Sequence, residues 1–417
     1  MIDPLTALTR EARAARAAAR WFVPGRIEVL GKHTDYAGGR SLLAAVDTGH
    51  TITAAARTDR VLRVRSEVAD GTVEIDLDRA GTHEERAGHW GGYVRTVAQR
   101  LDANFPGRLR GAEITIASTL PLAAGMSSSS ALVVGLALAL IDLAGIAADP
   151  AFTDEITTPE QLGEYFGTIE NGQSFGALTG DRGVGTFGGS EDHTAMLCGA
   201  PDALVQYSFC PVRHERTVAL GPELALVIAV SGVEAAKTGA ARDAYNRVSL
   251  AVTEILRRWR EDTGRTDPTL ADVIASGPAA VARLRELIAE DDYLPGRLEQ
   301  FLAESERLVP AAAVALEEGD LEELGRLVDE SQVGAEHGLR NQVPETITLQ
   351  REARALGAHA ASAFGAGFGG SVWALVPTAD AEDFGARWLE AYRAAHPERT
   401  GASVAITRPG GGARRLG

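Results

Sequence analysis

Three short stretches, far apart in the chain, carry the residue types that handling a polyphosphate requires. The run Pro121-Leu-Ala-Ala-Gly125-Met-Ser127-Ser-Ser-Ser130-Ala131 passes from a glycine and four serines straight into an apolar segment. If that segment is a helix, free backbone N–H groups and hydroxyls converge at its N-terminus, which makes an anion site. A plain serine-capped helix is the alternative, although four consecutive serines exceed what one cap uses. The turn Gly31-Lys32-His33-Thr34-Asp35-Tyr36 sets an ammonium, an imidazole and a carboxylate between two apolar strands, where a polyhydroxylated ligand finds donors and acceptors. A solvated hairpin tip would look the same. The loop Gly365-Ala-Gly-Phe-Gly-Gly370 lets a ligand approach bare backbone.

A fourth stretch, Gly188-Gly189-Ser190-Glu191-Asp192-His193, puts an acid directly after glycines. Asp192 is the candidate group to orient or deprotonate an acceptor alcohol; an aspartate near the start of a helix is the plainer alternative. Phosphoryl transfer asks chiefly for positioning and charge neutralisation, so N–H donors, a hydroxyl and a carboxylate for Mg²⁺, and one such acid form a sufficient set. Other nucleotide signatures are missing: there is no GxxxxGK[ST] run and no kinase HRD/DFG set. Gly183-Val-Gly185-Thr-Phe-Gly188 matches GxGxxG, but no strand pattern precedes it, and 205–213, where a ribose-binding acid belongs, holds neither Asp nor Glu. That argues against an NAD-dependent dehydrogenase.

These stretches need a scaffold. A chain of 417 residues, 45% hydrophobic, can bury a real core, and its length suggests about two to three domains. The net charge of −16 disfavours a nucleic-acid or membrane-surface partner. Two cysteines, Cys198 and Cys210, fit neither a CxxC element nor a disulfide framework, which points to a reducing compartment. The Ala/Arg pattern over 6–20 lacks the apolar core of a signal peptide, and the longest apolar run, 131–140, is too short to span a bilayer, so a cytoplasmic protein is expected. Lysine occurs only at Lys32 and Lys237, which singles out the one inside the polar turn.

Periodicity predicts a helix near the N-terminus, strands over 26–30, 41–46, 51–55, 61–66 and 73–77, a helix over 89–100 and a strand over 112–118. Helices follow from 131 and over 159–170, then a Gly/Ser/Thr-rich coil over 171–190 and a helix or turn over 191–196. A strand over 224–231, a long helix over 235–261, further helices to 356, and a strand–helix–strand close over 371–377, 379–396 and 402–407 complete an α+β pattern. A boundary is expected near Gly221-Pro222, dividing 1–222 from 223–417, with a loose tail over 409–417.

Taken together, Pro24-Gly25-Arg26-Ile27-Glu28-Val29-Leu30-Gly31-Lys32-His33-Thr34-Asp35-Tyr36-Ala37-Gly38-Gly39, the run 121–131 and the loop 365–370 stand in the order, and over nearly the full length, of the GHMP small-molecule kinases. The chain resembles that superfamily and, within it, the galactokinase branch. The resemblance implies a two-domain GHMP kinase fold: a ribosomal S5 domain 2-like N-terminal domain and a ferredoxin-like α/β sandwich C-terminal domain. It further implies ATP- and Mg²⁺-dependent phosphorylation of a monosaccharide at its anomeric hydroxyl, by a monomer or homodimer whose partners are the sugar and ATP. By motif position, Asp192 would be the catalytic acid with Arg26 beside it, and His33, Asp35 and the Gly189 backbone would hold the sugar, with Tyr245 closing over it. Trp90 would pack on adenine. Gly125, Ser127, Ser128, Ser129 and Ser130 would wrap the phosphates, backed by Gly367 and Gly369, while Ser129 and Glu170 would hold Mg²⁺.

The chain also departs from the pattern. Galactokinases carry Asn where Glu28 stands, Glu where Lys32 stands and Gln where His193 stands. An ammonium in place of a carboxylate inverts what that corner prefers, so Lys32 either reads an anionic substituent on the substrate or pairs with Glu28, Asp35 or Glu191. The stretch from Glu170 to Asp192 is longer than the family's, which leaves Glu164 and Asp181 as alternative metal carboxylates. A kinase for a uronic acid, a heptose or another substrate of the superfamily, and a non-catalytic sugar or ATP sensor, are the rival functions.

Overall fold

The computed structural model describes residues 2–10, 16–79, 90–120, 125–233 and 239–416. The expected helix start at 89, the first four residues of the 121–131 run and the helix start at 235–238 lie outside them. The strands are β1 (Ala18–Leu30), β2 (Arg40–Ala56), β3 (Val61–Ser66), β4 (Thr72–Asp76), β5 (Ala112–Ser118), β6 (Ala203–Ser208), β7 (Arg213–Ala219), β8 (Leu224–Val230), β9 (Ala360–Ala363), β10 (Ser371–Pro377), β11 (Ser403–Thr407) and β12 (Arg414–Arg415). One sheet runs β12-β1-β2-β5-β3-β4, with β6 also on β2 and β7 beyond it; the other runs β11-β8-β10-β9. Pairing is antiparallel apart from β3 with β5.

The helix Ser128–Ala144 explains how the first sheet is filled. Its sequence is apolar on almost every face, so it can only be stable inside, and from Ser130 to Leu143 every residue is buried. It lies against β1 and β2. Gly135 permits the approach, since a Cβ there would come within 2.5 Å of Ile52. The one charge on this stretch, Asp142, is offset by the Trp21 indole N–H at 3.1 Å and by Arg16 and Arg415 at 2.9 and 3.0 Å. Gly145, at φ 66°, ends the helix in the left-handed conformation that glycine adopts without penalty.

The second sheet packs an all-buried β8 and a β10 buried up to Val376 against the helices Pro344–Ala355 and Ala381–Ala395 through Leu349, Phe384, Trp388 and Tyr392. A further apolar cluster gathers Val252, Ile255, Leu270, Leu284, Leu298 and Phe301 from the helical region, together with Ala37 from the polar turn. The functional turn is thereby seated on helices that follow it by more than two hundred residues.

Three expectations need correction. The strands expected over 41–46 and 51–55 are one strand, β2, which continues past Gly49. The stretch 197–223, to which periodicity assigned no element, contains β6 and β7; β7 is mostly exposed and polar, so it carries no apolar alternation. The tail is not loose: Pro409 bridges to Val46, and Gly410, Gly412, Ala413 and Leu416 donate backbone N–H groups to Ala45, Gly199, Met196 and Arg20. Backbone pairing holds it where side chains offer little. Among the described residues no helix is long and apolar enough to cross a membrane.

Candidate active site

β1 and two helix N-termini converge on one carboxylate. Asp192 lies in the first turn of the helix Glu191–Cys198, where the helix dipole favours an anion. Arg26, projecting from β1, donates through Nε to Asp192 Oδ1 at 2.5 Å and through Nη1 to the Gly125 carbonyl at 2.9 Å. Asp192 Oδ2 accepts from the hydroxyls of Ser127 and Ser130, the latter at 3.2 Å. Burial works to lower the Arg26 pKa, but the carboxylates of Asp192, Glu28 and Glu191 outweigh it and raise the value. Arg26 therefore stays a fixed cation.

The Ser130 hydroxyl is also 2.9 Å from Glu170 Oε2, so it bridges the two acids. Glu170 sits in the last turn of the helix Pro159–Asn171, which opens on a Thr158–Gln161 capping box and stops at Gly172, φ 84°. His193 Nε2 is 3.3 Å from the same carboxylate oxygen. Glu170 with the serine hydroxyls is an all-oxygen donor set of the kind Mg²⁺ prefers. The alternative acids lie elsewhere: Glu164 accepts the Val212 N–H at 2.8 Å, and Asp181 caps the Gly183 N–H at 2.8 Å. Neither lines the cleft. Among the described residues Glu170 meets Ser130 rather than Ser129, which is half-buried one position earlier.

The polar turn forms the opposite wall. His33, at φ 57°, has Nε2 3.2 Å from the Ala366 carbonyl and Nδ1 3.2 Å from the Tyr36 hydroxyl. Asp35 Oδ2 accepts the Glu191 N–H at 3.1 Å, and burial raises its pKa against the backbone donors of Glu191 and Tyr36. Gly189 is required here, since a Cβ would come within 2.4 Å of Asp35 Oδ2. Tyr245 stacks at a tilt on His33, ring centroids 5.5 Å apart, and its neighbour Asn246 grips the glycine coil through the Phe187 N–H and the Gly185 carbonyl, both at 3.1 Å. Arg26, His33, Asp35, Gly189, Asp192, Glu170, Ser130 and Tyr245 thus line one open cleft of about 530 Å³.

The phosphate-type loops meet beside it. The turn from Gly125 (φ 65°) through Ser127 (φ 56°) leads into the Ser128 helix, whose first N–H groups have no intrahelical acceptor. Gly365 abuts both Arg26 and the Gly125 carbonyl. Gly367 (φ 79°) and Gly369 (φ 132°) turn the loop tightly against Asn341 and Val233. Ser128 faces away, with its hydroxyl 3.1 Å from His50 Nε2. Trp90 starts the helix Gly91–Asn104, is half-buried against the core and donates its indole N–H to Asp70 O at 3.2 Å. It is not part of the cleft lining.

Lys32 is the clear departure from expectation. It neither lines the cleft nor pairs with Glu28, Asp35 or Glu191; it is 1% exposed, donates to Ser331 Oγ at 2.7 Å and lies 4.0 Å from Glu304 Oε1. A buried ammonium needs a compensating acid, and Glu304 supplies it from a π-helical turn, Glu304–Leu308, far along the chain. Glu304 Oε1 also takes the Gly31 N–H at 2.8 Å, while Arg297 and Gln300 hold the carbonyls of His33 and Lys32 at 2.6 and 3.1 Å. No local pattern announced these clamps. Sequence reasoning also missed Asn171 and Thr186 as lining residues; the Asn171 amide holds the Gly188 carbonyl at 2.9 Å.

The comparisons with known proteins agree with this geometry. Residues 92–174 match the GHMP kinases N-terminal domain, 312–394 the GHMP kinases C-terminal model and 11–57 the galactokinase galactose-binding signature. The chain is 30% identical over 371 residues to a galactokinase of Chloroflexus aurantiacus, covering 88% of this chain and 86% of that one. It is 28% identical over 395 residues to a galactokinase of Roseiflexus sp., covering 94% and 92%. A crystal structure of Lactococcus lactis galactokinase complexed with galactose superposes with a TM-score of 0.79 at 25% identity, covering 99% of this chain and all of that one. With these motifs, this cleft and these relatives, the chain belongs to the galactokinase family of the GHMP kinases and is an ATP-dependent sugar kinase.

Proposed function

We propose that the protein transfers the γ-phosphoryl group of ATP to the anomeric hydroxyl of galactose or a closely related neutral hexose. The observation that carries this reading is the Arg26–Asp192 pair, set between the start of the Ser128 helix and the His33–Asp35 turn. In this mechanism Asp192 orients the acceptor hydroxyl and takes its proton as the sugar oxygen bonds to phosphorus and the bond to the β-phosphate oxygen breaks. Arg26 balances the negative charge that gathers there. The N–H groups of 125–130 and the hydroxyls of Ser127, Ser129 and Ser130, backed by the 365–370 loop, hold the β- and γ-phosphates, and Trp90 packs on the adenine. His33, Asp35, the Gly189 backbone and Tyr245 hold the sugar. Glu170 and the hydroxyls of Ser129 and Ser130 would hold Mg²⁺, which supplies charge neutralisation on the phosphate oxygens.

The cleft lining also favours a neutral sugar over a uronic acid: among the described lining residues five are Asp or Glu and Arg26 is the one Arg or Lys. The division into 1–222 and 223–417 would place the acid and both serine and sugar motifs in the first domain and the 365–370 loop in the second. The test is Asp192→Asn, followed by ADP release and by ATP binding. Turnover should fall about 10²- to 10⁴-fold while the ATP Kd changes little. Turnover retained at the wild-type rate removes Asp192 from the mechanism.

A further inference from the structure

One buried pair in the cleft has no part in the transfer just described. Glu28 follows Arg26 by two residues on β1, so both side chains leave the same face of the strand, and both line the cleft. Glu28 is 4% exposed. No described N–H or hydroxyl donates to its carboxyl, and its Oε1 is buried without a partner. Glu191, a second buried acid of the cleft lining, is by contrast held by the Ser41 hydroxyl at 2.7 Å.

The surroundings explain why the pair persists. Burial raises the pKa of both acids; Lys32 and Arg26 pull that of Glu28 back down while Glu304 pushes it up, and Asp35 and Asp192 push up that of Glu191. An ionised carboxyl has about four lone-pair positions, and no described protein donor fills any of those of Glu28. A carboxyl with a purely structural role would be met by protein donors, as Glu304 is by the Gly31 and Lys32 N–H groups and the Ser331 hydroxyl. What faces Glu28 instead is the cleft in which a sugar would lie.

Resting on the sugar-kinase reading, we propose that Glu28 is a specificity-determining residue that accepts a hydrogen bond from a hydroxyl or ammonium substituent of the acceptor sugar. The cleft then selects sugars that present a donor at that ring position and rejects those that present a carboxylate or phosphate there. Asp192 and Arg26 decide whether a sugar reacts; Glu28 decides which one stays.

The test is a cycle between residue and substituent in the full chain. Wild type, Glu28→Gln and Glu28→Ala are each titrated calorimetrically with galactose, its monodeoxy derivatives, its 2-amino-2-deoxy derivative and galacturonate, and kcat/KM is read from ADP release. Removing one particular hydroxyl should weaken wild-type binding tenfold or more, but Glu28→Ala binding less than threefold. Glu28→Gln, which keeps the shape but removes the charge, should at least halve that discrimination and narrow the gap between galacturonate and galactose. The amino sugar separates the two donor types: tighter binding than galactose in the wild type alone assigns an ammonium, weaker binding a hydroxyl. If every derivative loses the same factor in wild type and variants, Glu28 does not touch the sugar and the proposal fails. Melting curves show which variants are folded, and the Gln variant closes the cycle if the Ala variant is not. Sugar binding without turnover in the wild type would count against the kinase mechanism while the Kd cycle still judges Glu28; a wild type that binds none of these sugars overturns both.

Discussion

The two walls of the cleft are built on opposite plans. The wall made by 125–130 and 365–370 is mostly backbone: glycines at positive φ, serines and the start of one helix, held chiefly by main-chain groups such as those of Asn341 and Val233, with Arg26 on the Gly125 carbonyl. The wall made by 31–36 is held by long polar side chains, with Glu304, Arg297, Gln300 and Ser331 reaching the turn from helices near the middle and end of the chain. A loop that reads a phosphate can be local, because the donors are main-chain groups that every sequence possesses. A turn that must present a particular imidazole and carboxylate at fixed angles needs outside support.

Breaking one wall should therefore be separable from breaking the other. Glu304→Ala strips the acceptor from the Gly31 and Lys32 N–H groups and leaves the Lys32 ammonium buried without its acid. A loss of about 3–5 kcal/mol in stability is expected, read by denaturant unfolding, with sugar affinity falling alongside. ATP affinity of the folded fraction should stay within about twofold, whereas a proportional loss of both would merge the two walls into one unit.

A smaller effect is expected from protonation of the sugar-side acids. The Glu28 pKa is raised from 4.5 to about 7, and that of Glu191 is raised well above its ordinary value, chiefly by burial in both cases. The folded chain thus holds protons that the unfolded chain releases, so the stabilisation is complete below about pH 4.5 and is lost as pH rises through about 7. Between pH 5 and 8 the melting point should drop by an amount equivalent to roughly 2 kcal/mol, and Glu28→Gln should flatten the curve. A wild-type curve already flat over that range contradicts the raised acid pKa values.

The least change is expected on the phosphate side. Gly367→Ala puts a Cβ where φ is 79° and within 2.4 Å of the Asn341 carbonyl. The cost of about 1–2 kcal/mol should appear as a roughly tenfold weaker ATP Kd with sugar binding unaltered. Equal losses for ATP and sugar would show that the loop supports the whole cleft.

The same contrast decides how much could be read in advance. Gly125, the serine run, Asp192 and the 365–370 loop were legible because close backbone approach and helix-terminal donors impose residue types at fixed short spacing. His33 and Asp35 were visible as residues, but the clamp around them was not: on amphipathic helices, Glu304 and Arg297 read like ordinary solvent-facing charges. Lys32 was misread for that reason, its acid lying 272 positions away. In the fold, β5 and β10 were found at their observed bounds because β5 alternates at the strand period and β10 is a short continuous apolar run, whereas exposed β7 gave neither signal.

The returning segment 409–416 ties two parts of the enzyme together. Gly412 and Ala413 hydrogen-bond to the far end of the Asp192 helix, and Arg415 pairs with Asp142 inside the first sheet's core, so one short segment braces both the catalytic helix and the sheet beneath it. A cut before residue 409 would strip Arg415 from Asp142, leaving it to Arg16 and Trp21, and take two hydrogen bonds from the end of the catalytic helix, so damage at one remote segment reaches the core and the site together.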